Sequence, residues 1–169
     1  MDRENRIYRN ILLGLMIMVY LIPIIYVYYY FKDNKSVSSI ICDDKCRGNI
    51  LFFMGIMGLI TIIYELERKD NITLLLILSL LIGIYGVIKT EESCKIHYIF
   101  AGIVFLSIFA FMARNCWKNG CFFLYFLLFL QLLMIISTII NINNDIFYQE
   151  VIFIVNFAFF YLYLHYIGC

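Results

Sequence analysis

CFFLYFLLFLQLLMIISTII, residues 121–140, carries no charged side chain, and its one amide is Gln131. A helix needs about 20 mainly apolar residues to cross a hydrocarbon layer roughly 30 Å thick. This stretch meets that requirement by itself. The rest of the chain has the same character: of 169 residues, 64% are hydrophobic and only 15% charged, with a mean hydropathy of +0.90. Soluble domains usually hold about 45–50% apolar and about 25% charged residues. Too few polar residues remain here to cover one soluble core. The fold class expected is therefore all-α: a single polytopic membrane domain.

Working outward from 121–140, apolar runs bounded by charge or turn residues give six spans. They cover about 10–31, 49–64, 72–88, 96–113, 121–140 and 146–167. The second and third are short enough for a re-entrant hairpin, but two full spans are the preferred reading. No run alternates apolar and polar residues with period two, which argues against a β-barrel. The short loops predict antiparallel packing of sequential helices. The first run follows the basic RENRIYR and exceeds the usual h-region of a signal peptide, with no A-x-A-like site after it. It reads as a retained signal anchor, with Pro23 a kink point.

Orientation rests on weak signals. With the N-terminus inside, Arg3, Arg6, Arg9, Arg68, Lys69, Arg114 and Lys118 lie on the inner side; Lys32, Lys35, Lys45, Arg47, Lys89 and Lys95 lie outside. That is hardly a bias. The longest loop, KDNKSVSSIICDDKCRGN, adds the sequon Asn34-Lys35-Ser36, a glycosylation candidate, and the pair Cys42 and Cys46. Both suit a lumenal or extracellular face, so both termini are expected in the cytoplasm. Cys42, Cys46 and Cys94 are then disulfide candidates on the outer side, and Cys116, Cys121 and Cys169 are inner, reduced thiols. Neither a partner Cys pair nor nearby His residues accompany CDDKC, so no metal site and no cofactor are expected. The net charge of +1, with scattered basic residues, gives no sign of a nucleic-acid partner.

Polar groups at membrane depth are costly and tend to have a role. His97 opens the fourth run, Gln131 is central in the fifth, and Glu150 and Asn156 lie in the sixth, with His165 near its end. Glu65 closes the second run beside Glu67, Arg68 and Lys69. On this topology His97, Glu91, Glu92, Asp145 and Glu150 all approach the outer boundary. A His–carboxylate pair among them is chemically reasonable; the simpler reading leaves each in the wet headgroup layer. Asn156 is too deep for water and is expected, with Gln131, to bond between helices and set register. Ser79 with Gly83, and Gly55 with Gly58, read as close helix contacts.

Two stretches carry a family resemblance. GIYGVIKTEESCKIHYIFAGIVFLSIFAFM, residues 83–112, resembles the third and fourth spans of the Frag/DRAM/Sfk family. These six-span proteins include the damage-regulated autophagy modulators and the post-GPI-attachment factors. His97, Ala101, Gly102 and Phe105 stand at matching places. FYQEVIFIVNFAFFY, residues 147–161, resembles the family's last span at Glu150 and Asn156, with Val151 where the family has an aromatic. A related prokaryotic six-span group of unknown function is similar too. The resemblance implies a plasma-membrane, Golgi or lysosomal protein in lipid-anchor remodelling, lipid organisation or autophagy, partnered by membrane lipids and other membrane proteins. It implies no catalytic residue.

The sequence has no Gly-rich phosphate loop, no G-x-S-x-G and no H-E-x-x-H, and two histidines are too few for a His-rich zinc site. The expected function is therefore a non-enzymatic, lipid-organising membrane protein. Two alternatives stay open. One is a small-solute or ion transporter, suggested by Pro23, Gln131 and Asn156. The other is a lipid-modifying enzyme using His97 as base with Glu150, Glu91 or Glu92.

Overall fold

The computed structural model describes residues 3–31, 36–42, 44–91, 94–141 and 145–167; side chains at 3–6, 9, 20, 41–42, 44–46, 50–51, 54 and 166–167 fall outside that description. Seven α-helices follow one another: α1 (Arg3–Phe31), α2 (Val37–Cys42), α3 (Asp44–Glu67), α4 (Asn71–Lys89), α5 (Lys95–Asn119), α6 (Phe122–Ile140) and α7 (Phe147–Leu162). A π-helical turn, Tyr163–Ile167, continues α7. No strand occurs among the described residues.

Among the described residues, five helical stretches are long and apolar enough to cross a membrane: Asn10–Phe31, Asn71–Lys89, Lys95–Asn119, Phe122–Ile140 and Phe147–His165. These fit a multi-pass membrane protein. The remaining expected run, 49–64, lies in α3, several of whose side chains fall outside the description. The outer surface is apolar along the helices, as at Leu75, Ile82, Leu106 and Phe129. At one end of the bundle Trp117 and Phe122 are 86% and 87% exposed, and at the other Tyr29 and Tyr30 project outward. Aromatic side chains at both rims are what two membrane–water interfaces favour.

Local chemistry fixes the helix ends. Asp70 caps α4 by accepting from the Thr73 N–H at 3.2 Å, which satisfies one of the first-turn donors. Gly120 ends α5 in the left-handed region, φ 65°, where its N–H reaches the Cys116 carbonyl, a conformation glycine adopts without strain.

The α4–α5 pair packs as an antiparallel ladder of small residues. The Ser107 hydroxyl donates to Ser79 Oγ at 3.0 Å. A Cβ on Gly83 would stand 2.9 Å from Val104 Cγ2, and one on Gly86 only 2.1 Å from the Phe100 ring. Small residues let backbones approach closely where no hydrophobic force drives helices together. Gly58 likewise faces Leu81, whereas Gly55 is exposed and has nothing within 4 Å of a Cβ. The sequence expectation for Gly55 therefore fails, because that face of α3 meets no neighbour. Aromatic rings join α5 to α7: Phe105 with Phe153 at 4.5 Å between centroids, and Phe111 stacked on Tyr161 at 5.5 Å.

Candidate functional site

Three polar groupings lie at three levels of the bundle, and an apolar cavity lies among the helices between them. At the end where α7 begins, Glu150 faces the start of α2. Val37 N–H donates to Glu150 Oε2, Ser38 N–H donates to the same oxygen at 3.3 Å, and the Ser38 hydroxyl lies 3.5 Å from Oε1. Ser36 caps the same turn, accepting from Ser39 N–H at 3.0 Å. A helix start exposes unpaired N–H groups carrying partial positive charge, which a carboxylate satisfies. Glu150 is thereby the clamp that fixes α2 against α7.

His97 is buried with another partner. Its Nδ1 stands 3.3 Å from Thr90 Oγ1 and 3.4 Å from the Thr90 carbonyl. Thr90 gives its hydroxyl proton to the Gly86 carbonyl at 2.7 Å, so both Thr90 oxygens accept and the proton is assigned to Nδ1. His97 thus ties the start of α5 to the end of α4. The structure does not bring His97 and Glu150 together: the one closes the α4–α5 loop and the other holds α2. Glu91 is exposed on that loop, and Glu92 and Asn34 lie outside the described residues. Asp145 accepts from Phe147 N–H at 3.0 Å and starts α7.

At mid-depth the amides of Gln131 and Asn156 meet across α6 and α7. Asn156 Nδ2 donates to Gln131 Oε1 and, at 2.9 Å, to the Leu127 carbonyl; Gln131 Nε2 donates to the Phe153 carbonyl at 3.3 Å. Every one of these bonds crosses the helix pair, which fixes its register.

The opposite end holds a cluster that sequence reasoning left as separate residues. Glu65, fully buried at the end of α3, accepts from the Tyr161 hydroxyl. Arg68 Nη1 lies 3.6 Å from Glu65 Oε1 and 3.0 Å from His165 Nε2. A guanidinium can only donate, so Nε2 accepts and His165 is neutral. The 3.7 Å approach of His165 to Glu65 is therefore proximity rather than an ion pair. Tyr64 and Tyr161 pack edge-on to the His165 ring. The π-helical turn at Tyr163–Ile167 carries His165 into this cluster. No local signal in the sequence joins positions 65, 161 and 165, because the contact depends on α3 and α7 being neighbours. Beside it, Asp70 binds Lys118 and, at 3.0 Å, Arg114. The Lys118 ammonium holds the Asp70 carboxyl well below the usual carboxylate range, helped by Thr73 N–H and Arg114 and opposed by burial.

The cysteines differ from expectation. Cys94 is free, so it does not close the disulfide expected with the first loop. Cys121, expected as a reduced thiol, is disulfide-bonded to a partner outside the described residues. Cys116 is free and buried. The side chains of Cys42 and Cys46, and the whole of Cys169, lie outside the description. Among the described residues, no group of three His, Cys, Asp or Glu residues could hold a metal ion.

The cavity measures about 200 Å³ and is lined by residues of α1, α2, α3, α4, α5 and α7. Pro23, Met57, Leu80, Ala101, Phe105 and Phe153 are among its walls, and among the described residues Ser38 and Glu150 give it its only hydroxyl and its only carboxyl group. Gln131, Asn156 and His97 do not line it.

Comparison with family models, curated proteins and solved structures returned no match.

Proposed function

We propose that the protein is a non-enzymatic integral membrane protein that organises lipids, with α3 as a sixth span. One observation carries the reading: the groups that could do chemistry are engaged in holding helices, while the cavity among those helices is hydrocarbon-lined. Glu150 clamps α2, His97 binds Thr90, and neither reaches the other. A general base must lie within hydrogen-bond reach of the proton it takes, directly or through one water. The resemblance of residues 83–112 and 147–161 to the Frag/DRAM/Sfk family supports a place in the plasma membrane or endomembranes, in lipid-anchor remodelling, lipid organisation or autophagy. A transport reading loses its motivation, because Gln131 and Asn156 bond each other away from the cavity.

Purified protein in lipid nanodiscs tests this. Offered a panel of phospholipids and glycolipids, it releases and transfers no product, and His97→Ala and Glu150→Gln change its melting temperature instead. Turnover of any lipid that either variant abolishes would overturn the proposal.

A further inference from the structure

We infer that the cavity beneath α2 is a binding site for a single acyl chain of a bilayer phospholipid. The inference rests on the membrane reading above and adds a ligand class to it. Size comes first. At about 200 Å³ the space exceeds the roughly 150 Å³ apolar cavity that suffices to bind benzene. On α7 the lining runs from Glu150 to Phe157, roughly 10 Å of helix at about 1.5 Å per residue, which suits an extended chain better than a compact solute.

The second argument is what can fill it. Water in a cavity needs two to four polar partners. The walls offer Ser38 and Glu150 at one end only, and both already serve α2. The remaining walls are aliphatic and aromatic side chains from apolar helices that the bilayer surrounds. Acyl chains are the abundant apolar species at that depth, so the site meets them at high effective concentration.

The test uses full-length protein reconstituted in phosphatidylcholine vesicles doped with phosphatidylcholine bearing a diazirine on one acyl chain. After irradiation, mass spectrometry is expected to find adducts on the cavity walls, around Ala101–Ile108 and Phe153–Phe157. Ala101→Phe fills the space and should lower those adducts at least fivefold. Leu75→Trp, on the exposed outer face of α4, should leave them unchanged. Met57→Trp fills the same space from α3 and serves if Ala101→Phe does not fold. Unlabelled phosphatidylcholine should compete. Adducts confined to outward residues such as Leu75 and Leu106, or cavity adducts unchanged in the filled variants, would sink the site. None of these results touches the non-enzymatic reading, which falls only if the protein turns lipid over.

Discussion

Replacing Asn156 by leucine tests the mid-depth amide pair most directly. The substitution removes two donors, to Gln131 Oε1 and the Leu127 carbonyl, and leaves Gln131 Oε1 buried without them. Interhelical hydrogen bonds in membranes average about 0.6 kcal/mol each, with a maximum near 1.7. Two lost bonds therefore give about 1–2 kcal/mol. An orphaned buried acceptor adds to this, with water-referenced values of about 1–3 kcal/mol as an upper guide. Asn156→Leu should thus cost about 2 kcal/mol. Gln131→Leu should cost about as much, since it too loses two bonds, to the Phe153 carbonyl and from Asn156 Nδ2, and strands one Asn156 hydrogen. In the double variant no amide remains to be stranded, so the combined loss should fall short of the sum by about 1 kcal/mol. Steric-trap or mixed-micelle unfolding measures all four proteins. Additivity within about 0.3–0.5 kcal/mol, the range for independent sites, would refute the reasoning, because the two amides would then not be energetically joined.

Three further predictions follow from other parts of the bundle. Gly86→Ala should destabilise the α4–α5 pair by about 1–3 kcal/mol, the usual range for overpacking, since its Cβ would meet the Phe100 ring at 2.1 Å. Phe100→Ala should relieve most of that loss, and a double variant no more stable than Gly86→Ala would show the contact is not the cause. Asp70 has a folded-state pKa below its ordinary 3.8, so its stabilisation is present above about pH 4 and lost as pH falls further; acid unfolding curves of Asp70→Asn should lack that component, and identical pH slopes would contradict it. Under denaturing, non-reducing alkylation, Cys94 and Cys116 should react and Cys121 should not, while full alkylation of Cys121 would place that end of the bundle in a reducing compartment.

Much of the architecture was legible because membrane spans announce themselves locally. The absence of charge over residues 121–140 is a property of that stretch alone, and α6 covers all but its first residue. Asn156 and Gln131 could be singled out for the same reason, as amides with no water to bond. Gly83 was readable from its spacing to Ser79. Gly86 was not, because its constraint is the Phe100 ring on another helix. The α2 helix was missed since VSSIIC is too short to show a period, and without it Glu150 had no visible partner. The Thr90 partner of His97, which closes the preceding helix only seven residues away, was not foreseen. The Glu65 cluster had no signal at all, because nothing local says which helices become neighbours.

The distribution of polar residues follows from the solvent. In hydrocarbon, apolar side chains gain little by leaving lipid for each other, so helices are joined by close backbone approach and by hydrogen bonds. In this chain several joints have their own device: hydroxyls and glycines between α4 and α5, amides between α6 and α7, the buried Glu65 between α3 and α7, and Glu150 between α2 and α7. Around the cavity, α5 and α7 are joined by aromatic contacts such as Phe105 with Phe153 and Phe111 with Phe157. The polar joints thus leave the space among the helices to apolar side chains, and those walls set the chemistry of whatever enters it.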